Sequence, residues 1–178
     1  MIMGKTITAV NIKKLWYGDT SKITAKLTGV LLFNLLKTAT EVKNVHGETW
    51  TLEEAEANKT VYKNQLTGKV YRSDKEMGEV KMNFTIGEYD YATKADLLGG
   101  TATDTTWERA KGKVSIEKFL VGLTEDDQYI VIPRADIAAR EATTDKAVGL
   151  PIVGTEIEPT NEQVAAEYWF DASVVKSA

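Results

Sequence analysis

The chain has 178 residues, of which 43% are hydrophobic and 27% charged, with no cysteine and a net charge of −4. That is an ordinary globular balance, long enough for one domain with a sizeable core and short for two. The absence of cysteine excludes a disulfide framework and a thiolate metal centre, and a mildly acidic chain without a run of Lys or Arg is a poor general binder of nucleic acid.

No apolar run approaches the roughly 20 residues of a membrane span; the longest, "GVLLFNLL", is interrupted by Asn34. The residues after Met1 lack the blocks of a signal peptide, so folding in a reducing cytoplasm is expected. From Lys5 to Ile12, Ile7 and Ala9 alternate with Thr6, Thr8 and Val10, which predicts a strand. Within "LTGVLLFNLLKTATEV", Leu27, Leu31, Leu32, Leu35, Leu36 and Ala39 recur at helical spacing, and Thr28 suits the N-cap. A strand through Ile23, Ala25, Leu27, Leu31 and Phe33 competes, but the leucine content favours the helix.

Val42 to Leu52 and Leu66 to Arg72 have strand composition, rich in Val, Thr, Tyr and Trp. Between them, Glu53 to Asn58 is acidic and polar with little to bury. A single domain over residues 1–178 is expected, with an extended loop or hairpin arm at about 45–69. Trp50, Leu52, Val61, Tyr62 and Leu66 border the acidic stretch, so a partner could bury what the domain's own core cannot; these five are the candidate inter-subunit contact residues.

Val80, Met82, Phe84 and Ile86 alternate with Lys81, Asn83 and Thr85, the pattern of a half-buried strand. Asp90 then caps a short predicted helix with Ala92, Ala95 and Leu98 on one face, stopped by Gly99 and Gly100. Lys113 to Leu123 and Gln128 to Pro133 predict strands joined by the polar turn "TEDD", and Arg134 to Arg140 is a brief polar-alanine segment. Ala147 to Ile157 and Val164 to Phe170 predict a final strand pair. The fold class is therefore mainly β, antiparallel, with one or two short helices.

Catalytic constellations are scarce. The glycine pair follows a helix, whereas phosphate-binding glycines precede one. "GKT" at Gly4 to Thr6 has too few residues before it for a P-loop. His46 is the only histidine, with no cysteine and no G-x-S-x-G elbow to serve. The acids Glu53, Glu54, Glu56, the Glu125-Asp126-Asp127 turn, and Glu156 with Glu158 match no calcium-loop spacing, though the turn could weakly hold a cation. Trp50, Tyr62, Tyr71, Tyr89, Tyr91, Trp107, Tyr168 and Trp169 could form a carbohydrate-binding platform or ordinary core and interface.

The segments "LTGVLLFNLLKTATEVKNVHGETW", "YKNQLTGKVYRSDKEMGEVKMNFTIGEYDYATKADLLGG" and "YIVIPRADIAAREATTDKAVGLPIVGTEIEP" resemble the major tail tube proteins of long-tailed bacteriophages and prophages. The resemblance covers residues 23–170. It implies a β-sandwich or barrel-like tail-tube fold with a flanking helix, related to the tubes of contractile tails and type VI secretion. It implies a homo-oligomer of hexameric rings, stacked around a tape-measure protein into a virion tail that passes DNA without binding it. It brings no catalytic residue, cofactor or metal, so an enzyme is not expected. In this family a long loop between early strands reaches the next ring, the place that residues 45–69 occupy here. A type VI secretion-like tube protein and a carbohydrate- or small-ligand-binding β-sandwich are the alternative readings.

Overall fold

The computed structural model describes residues 4–178; Met1–Met3, where the segment read for a leader begins, lie outside the described residues. Its elements are β1 (Lys14–Asp19), α1 (Gly29–Leu36), β2 (Thr40–Glu41), β3 (Asn44–Val45), β4 (Thr51–Glu54), β5 (Asn58–Lys63), β6 (Val70–Glu76), β7 (Val80–Glu88), α2 (Tyr91–Leu98), β8 (Thr101–Ala102), β9 (Trp107–Glu108), β10 (Glu117–Leu123), β11 (Gln128–Ala139), β12 (Ala142–Thr144), β13 (Ala147–Glu156) and β14 (Tyr168–Asp171). The fold is mainly β, an antiparallel sheet curled into a half-barrel. The main strand order is β2-β1-β10-β11-β13-β7-β3, with β4 also on β7, β14 also on β11 and β12 on β13.

Both faces of the sheet are covered. Leu15 and Tyr17 of β1, Leu120 of β10, Ile130 and Ile132 of β11, Leu150 and Ile152 of β13 and Met82, Phe84 and Ile86 of β7 line the inner face, where Leu97 of α2 joins them. Trp16, Phe119, Val121, Leu123 and Val131 project the other way and meet Leu27, Leu32 and Leu35 at α1, with Val175 closing the edge. α1 begins as predicted: Thr28 Oγ1 accepts from Leu31 N–H at 3.3 Å. α2 is capped by Asp90, whose Oδ1 accepts from Thr93 N–H at 2.7 Å. Leu97 anchors α2, whereas Ala92 is exposed and Ala95 and Leu98 only half-buried, so the predicted face is off by part of a turn.

Gly99 and Gly100 end α2 with φ of 78° and 94°, the left-handed region that favours glycine. A Cβ on Gly100 would lie 2.2 Å from Glu108 O, and Trp107 Nε1–H donates to Gly99 O at 3.0 Å. The pair therefore stops the helix and lets the β8–β9 hairpin fold back on its end.

Several expectations are corrected. No strand forms from Lys5 to Ile12; that segment runs over the surface, with Ile7 and Val10 about half exposed, and the first strand is β1. Val42 to Leu52 is not one strand: after β3 a turn intervenes, with Glu48 at φ 59° and both Thr49 N–H and Thr49 Oγ1–H donating to His46 O. Leu66 lies in a tip turn, and the strand predicted from it starts at Val70. Arg134 to Arg140 mostly continues β11, to Ala139. Pro133 and Arg134 stand opposite the single residue Phe119, a β-bulge at which a residue without an N–H is tolerated. The extra residue switches parity, so Ala135 and Ile137 rejoin Ile130 and Ile132 on the inner face. Ala147 to Ile157 and Val164 to Phe170 do not pair with each other; β13 and β14 share one edge of β11, with Glu156 opposite Ala135 and Tyr168 opposite Val131.

Candidate functional site

The feature that stands apart from this body is the arm. Thr51 faces Asn83, Glu54 faces Val80, Asn58 faces Glu76 and Tyr62 faces Arg72, one constant register from the sheet as far as Tyr62, beyond which a bulge sets Lys63 opposite Val70. The ribbon narrows between the two paired stretches at Ala55 and Gly78. There Ala55 N–H donates to Glu79 O at 2.9 Å, and a Cβ on Gly78 would lie 1.8 Å from Ala55 O. Beyond this waist β5 and β6 pair only with each other. Nine residues at about 3.3 Å each carry the tip about 30 Å out.

At the tip, Asn64 Oδ1 accepts from Leu66 N–H at 2.8 Å, and Gly68, at φ 69°, donates its N–H to Asn64 O at 2.8 Å. Nothing in the body covers the arm's apolar side chains. Leu66 is 95% exposed, Met77 79% and Tyr71 70%, and Val61, Tyr62 and Val70 are close to half exposed.

Of the five predicted contact residues, Val61, Tyr62 and Leu66 lie on the arm with their apolar surface free. Trp50 and Leu52 do not join them. Both precede the waist and pack against the inner-face cluster of their own domain. The arm is accordingly residues 55–79, shifted towards the C-terminus from the predicted 45–69. Val70, Tyr71 and Met77 belong to it as well; their solvent exposure follows from the hairpin register, which local composition does not reveal.

The remaining candidates are dispersed. His46 Nε2 lies 3.0 Å from Asp145 Oδ2, with no serine or threonine hydroxyl in that contact. In the Glu125–Asp127 turn, Asp127 takes φ 61° and its carboxylate pairs with Lys13. Among the described residues no three His, Cys, Asp or Glu side chains are grouped as a metal site would need. The aromatics are spread over the molecule: Tyr62 and Tyr71 are on the arm, Tyr89 and Tyr91 line a shallow cleft of about 720 Å³ with Lys94, Tyr168 stacks on Phe170 at 5.7 Å, and Trp107 lies beneath Lys94 at 4.1 Å and Arg109 at 5.2 Å. A cleft beside the bulge, about 480 Å³, is lined by Thr20, Thr24, Arg134 and Asn161. Its guanidinium is already engaged, donating to Glu117 Oε2 and Oε1 at 2.8 and 2.9 Å and to Glu158 O at 2.8 Å. Burial pushes the Tyr17 hydroxyl up to about 12, further from the neutral range in which a phenol is already protonated.

Glu156 sits where β13 gives way to β14. Its Oε2 is shielded from solvent with no hydrogen-bonding partner in the protein. Burial, followed by the nearby charges of Glu167 and Glu54, raises its pKa above the ordinary 4.5. A carboxyl whose folded pKa is raised favours the fold at low pH, and that contribution is lost as pH rises from its unfolded value through its folded one. Glu156→Gln is therefore expected to melt higher than the parent at pH 7 and to match it below about pH 4, where the parent carboxyl is protonated in both states. Thermal melts at the two pH values check this; an equal gain at both contradicts it.

No protein-family model matches the chain, and no curated protein matches it. Among the described residues no helix is long and apolar enough to cross a membrane.

Proposed function

We propose that the chain is a structural subunit that assembles with copies of itself into hexameric rings stacked as a phage tail tube. The observation that carries the self-assembly is the arm: a ribbon about 30 Å long whose Val61, Tyr62, Leu66, Val70, Tyr71 and Met77 are exposed. A two-stranded ribbon is at best marginally stable in water by itself, and a cluster of exposed apolar side chains marks an interaction surface. The tube, the DNA passing through it and the tape-measure protein within it come from the resemblance of residues 23–170 to tail tube proteins. The open half-barrel supports the ring, because strands at its two edges gain partners when neighbouring copies close a circle.

Negative-stain electron microscopy of the concentrated protein, with light scattering on the same samples, tests the reading. Rings or tubes are expected. A monomer at every concentration that binds glycans overturns it in favour of a ligand-binding β-sandwich.

A further inference from the structure

Residues 58–77 carry five basic side chains, Lys59, Lys63, Lys69, Arg72 and Lys75, against the acids Asp74 and Glu76. The outer arm, residues 58–77, thus carries a net +3 and the rest of the chain −7; counted over the whole arm, residues 55–79, Glu56 and Glu79 lower the arm's charge to +1 against −5 for the body. Strand alternation sorts these charges between two faces. Thr60 and Tyr62 share one face with Arg72, Asp74 and Glu76, and there Arg72 pairs with Asp74 at 3.0 Å and stacks on Tyr62 at 5.4 Å. Lys59, Val61 and Lys63 share the other with Ser73 and Lys75. On that face Lys59 stands directly opposite Lys75, and among residues 58–77 no carboxylate shares it; the nearest, Glu79, lies back at the waist, paired with Lys81. Among the ion pairs of the described residues, none engages Lys59, Lys63, Lys69 or Lys75. Like charges directly opposite destabilise a ladder, so the lone subunit holds a repulsion that a negative surface relieves.

We infer that the lysine face of the arm docks on the acidic body of a second copy of this chain, and that its charge keeps one arm from pairing with another. This rests on the self-assembly reading and adds the sense of the contact. Two outer arms meeting would set +3 against +3, and lysines on open strands are a common defence against edge pairing. An outer arm meeting the rest of a second copy sets +3 against −7, which attracts and orients the encounter. The contact is then between unlike surfaces of successive copies. Such a head-to-tail contact closes into rings or repeats as an open filament, whereas an arm-to-arm contact ends at a dimer.

Self-association of the full chain, followed by sedimentation velocity from about 0.05 M to about 0.5 M NaCl, tests the inference, because screening shortens to a few Å over that range. The parent is expected to associate at least about tenfold more weakly at the upper salt. The triple variant Lys59→Glu, Lys63→Glu, Lys75→Glu is expected to associate at least about tenfold more weakly than the parent at the lower salt, with a parent-like melt because the arm lies outside the core. Should its melt fall, Lys59→Gln with Lys75→Gln, which adds no new charge, is expected to restore the melt and keep the weakened association. A triple variant that associates like the parent overturns the inference and leaves the self-assembly reading standing. A parent that associates at no salt overturns both. A parent that instead binds a duplex DNA oligonucleotide, with binding lost in the variant, makes nucleic acid the occupant and overturns the inference.

Discussion

Replacing Phe84 with alanine is expected to cost about 3–5 kcal/mol of folding stability. The ring is 1% exposed and sits on β7 opposite Ile152, among Met82, Ile86 and Leu120 on the inner face. Neighbours on three strands are fixed by ladder hydrogen bonds and cannot collapse into the space, so the loss includes a cavity as well as the transfer of the ring to water. In a domain of this size such a loss lowers the melting midpoint by about 6–20 °C. Lys81, one strand position away from Met82, points outward and bonds Glu79 at 2.9 Å with 43% of its side chain exposed. Lys81→Ala is expected to change stability by no more than about 0.5 kcal/mol. Urea titrations of both variants decide the matter; a silent Phe84→Ala beside a costly Lys81→Ala would mean the inward and outward faces of β7 are reversed.

Removing the arm is expected to separate folding from assembly. The cut follows the waist: residues 57–77 are replaced by a short Gly/Ser turn between Glu56 and Gly78, leaving Leu52 on the core and the β4–β7 ladder intact. The two ends already lie close, since Ala55 N–H bonds Glu79 O at 2.9 Å, so a hairpin-length turn suffices. The shortened protein is expected to melt within a few degrees of the parent, because none of the removed side chains is buried. It is also expected to form no long tubes. Electron microscopy of parent and variant at equal concentration reads this, and a variant that polymerises as readily as the parent removes the arm from the stacking contact.

How much of this was legible in the chain depended on whether local period carried the signal. Met82, Phe84 and Ile86 alternate because β7 has one deeply buried face. Thr28 and Asp90 announced their helices because a cap is a local hydrogen bond. β1 was hidden for the opposite reason: Leu15 and Tyr17 enter one cluster and Trp16 the other, so "KLWYGD" shows no alternation. The segment Lys5 to Ile12 alternates without a strand to pair with. The bulge at Pro133 reversed the parity of β11 midway, making one long strand read as a strand followed by something else. The sharing of β11 between β13 and β14 is a long-range choice that no local pattern encodes.

The candidate site divides the same way. The polarity of Glu53 to Asn58 announced a projecting segment, and Val61, Tyr62 and Leu66 lie on it. Trp50 and Leu52 look identical to these in composition and differ only in lying before the waist. The lysine face was invisible to a search for basic runs, since Lys59, Lys63 and Lys75 come together only once the register sets β5 against β6.

The narrowing at Ala55 and Gly78 also gives the subunit a mechanical character. Below it the ribbon is clamped into a sheet with both faces covered; above it β5 and β6 pair only with each other among the described residues. Bending stress applied at the tip therefore concentrates at one compliant joint, and the arm acts as a lever about it. With about 30 Å of reach, a tilt of about 10° swings the tip through about 5 Å. In the assembly proposed above, copies linked through such levers would lean against one another while each core stays rigid, so a stack of them would curve by adjusting joints and leave its building blocks undeformed.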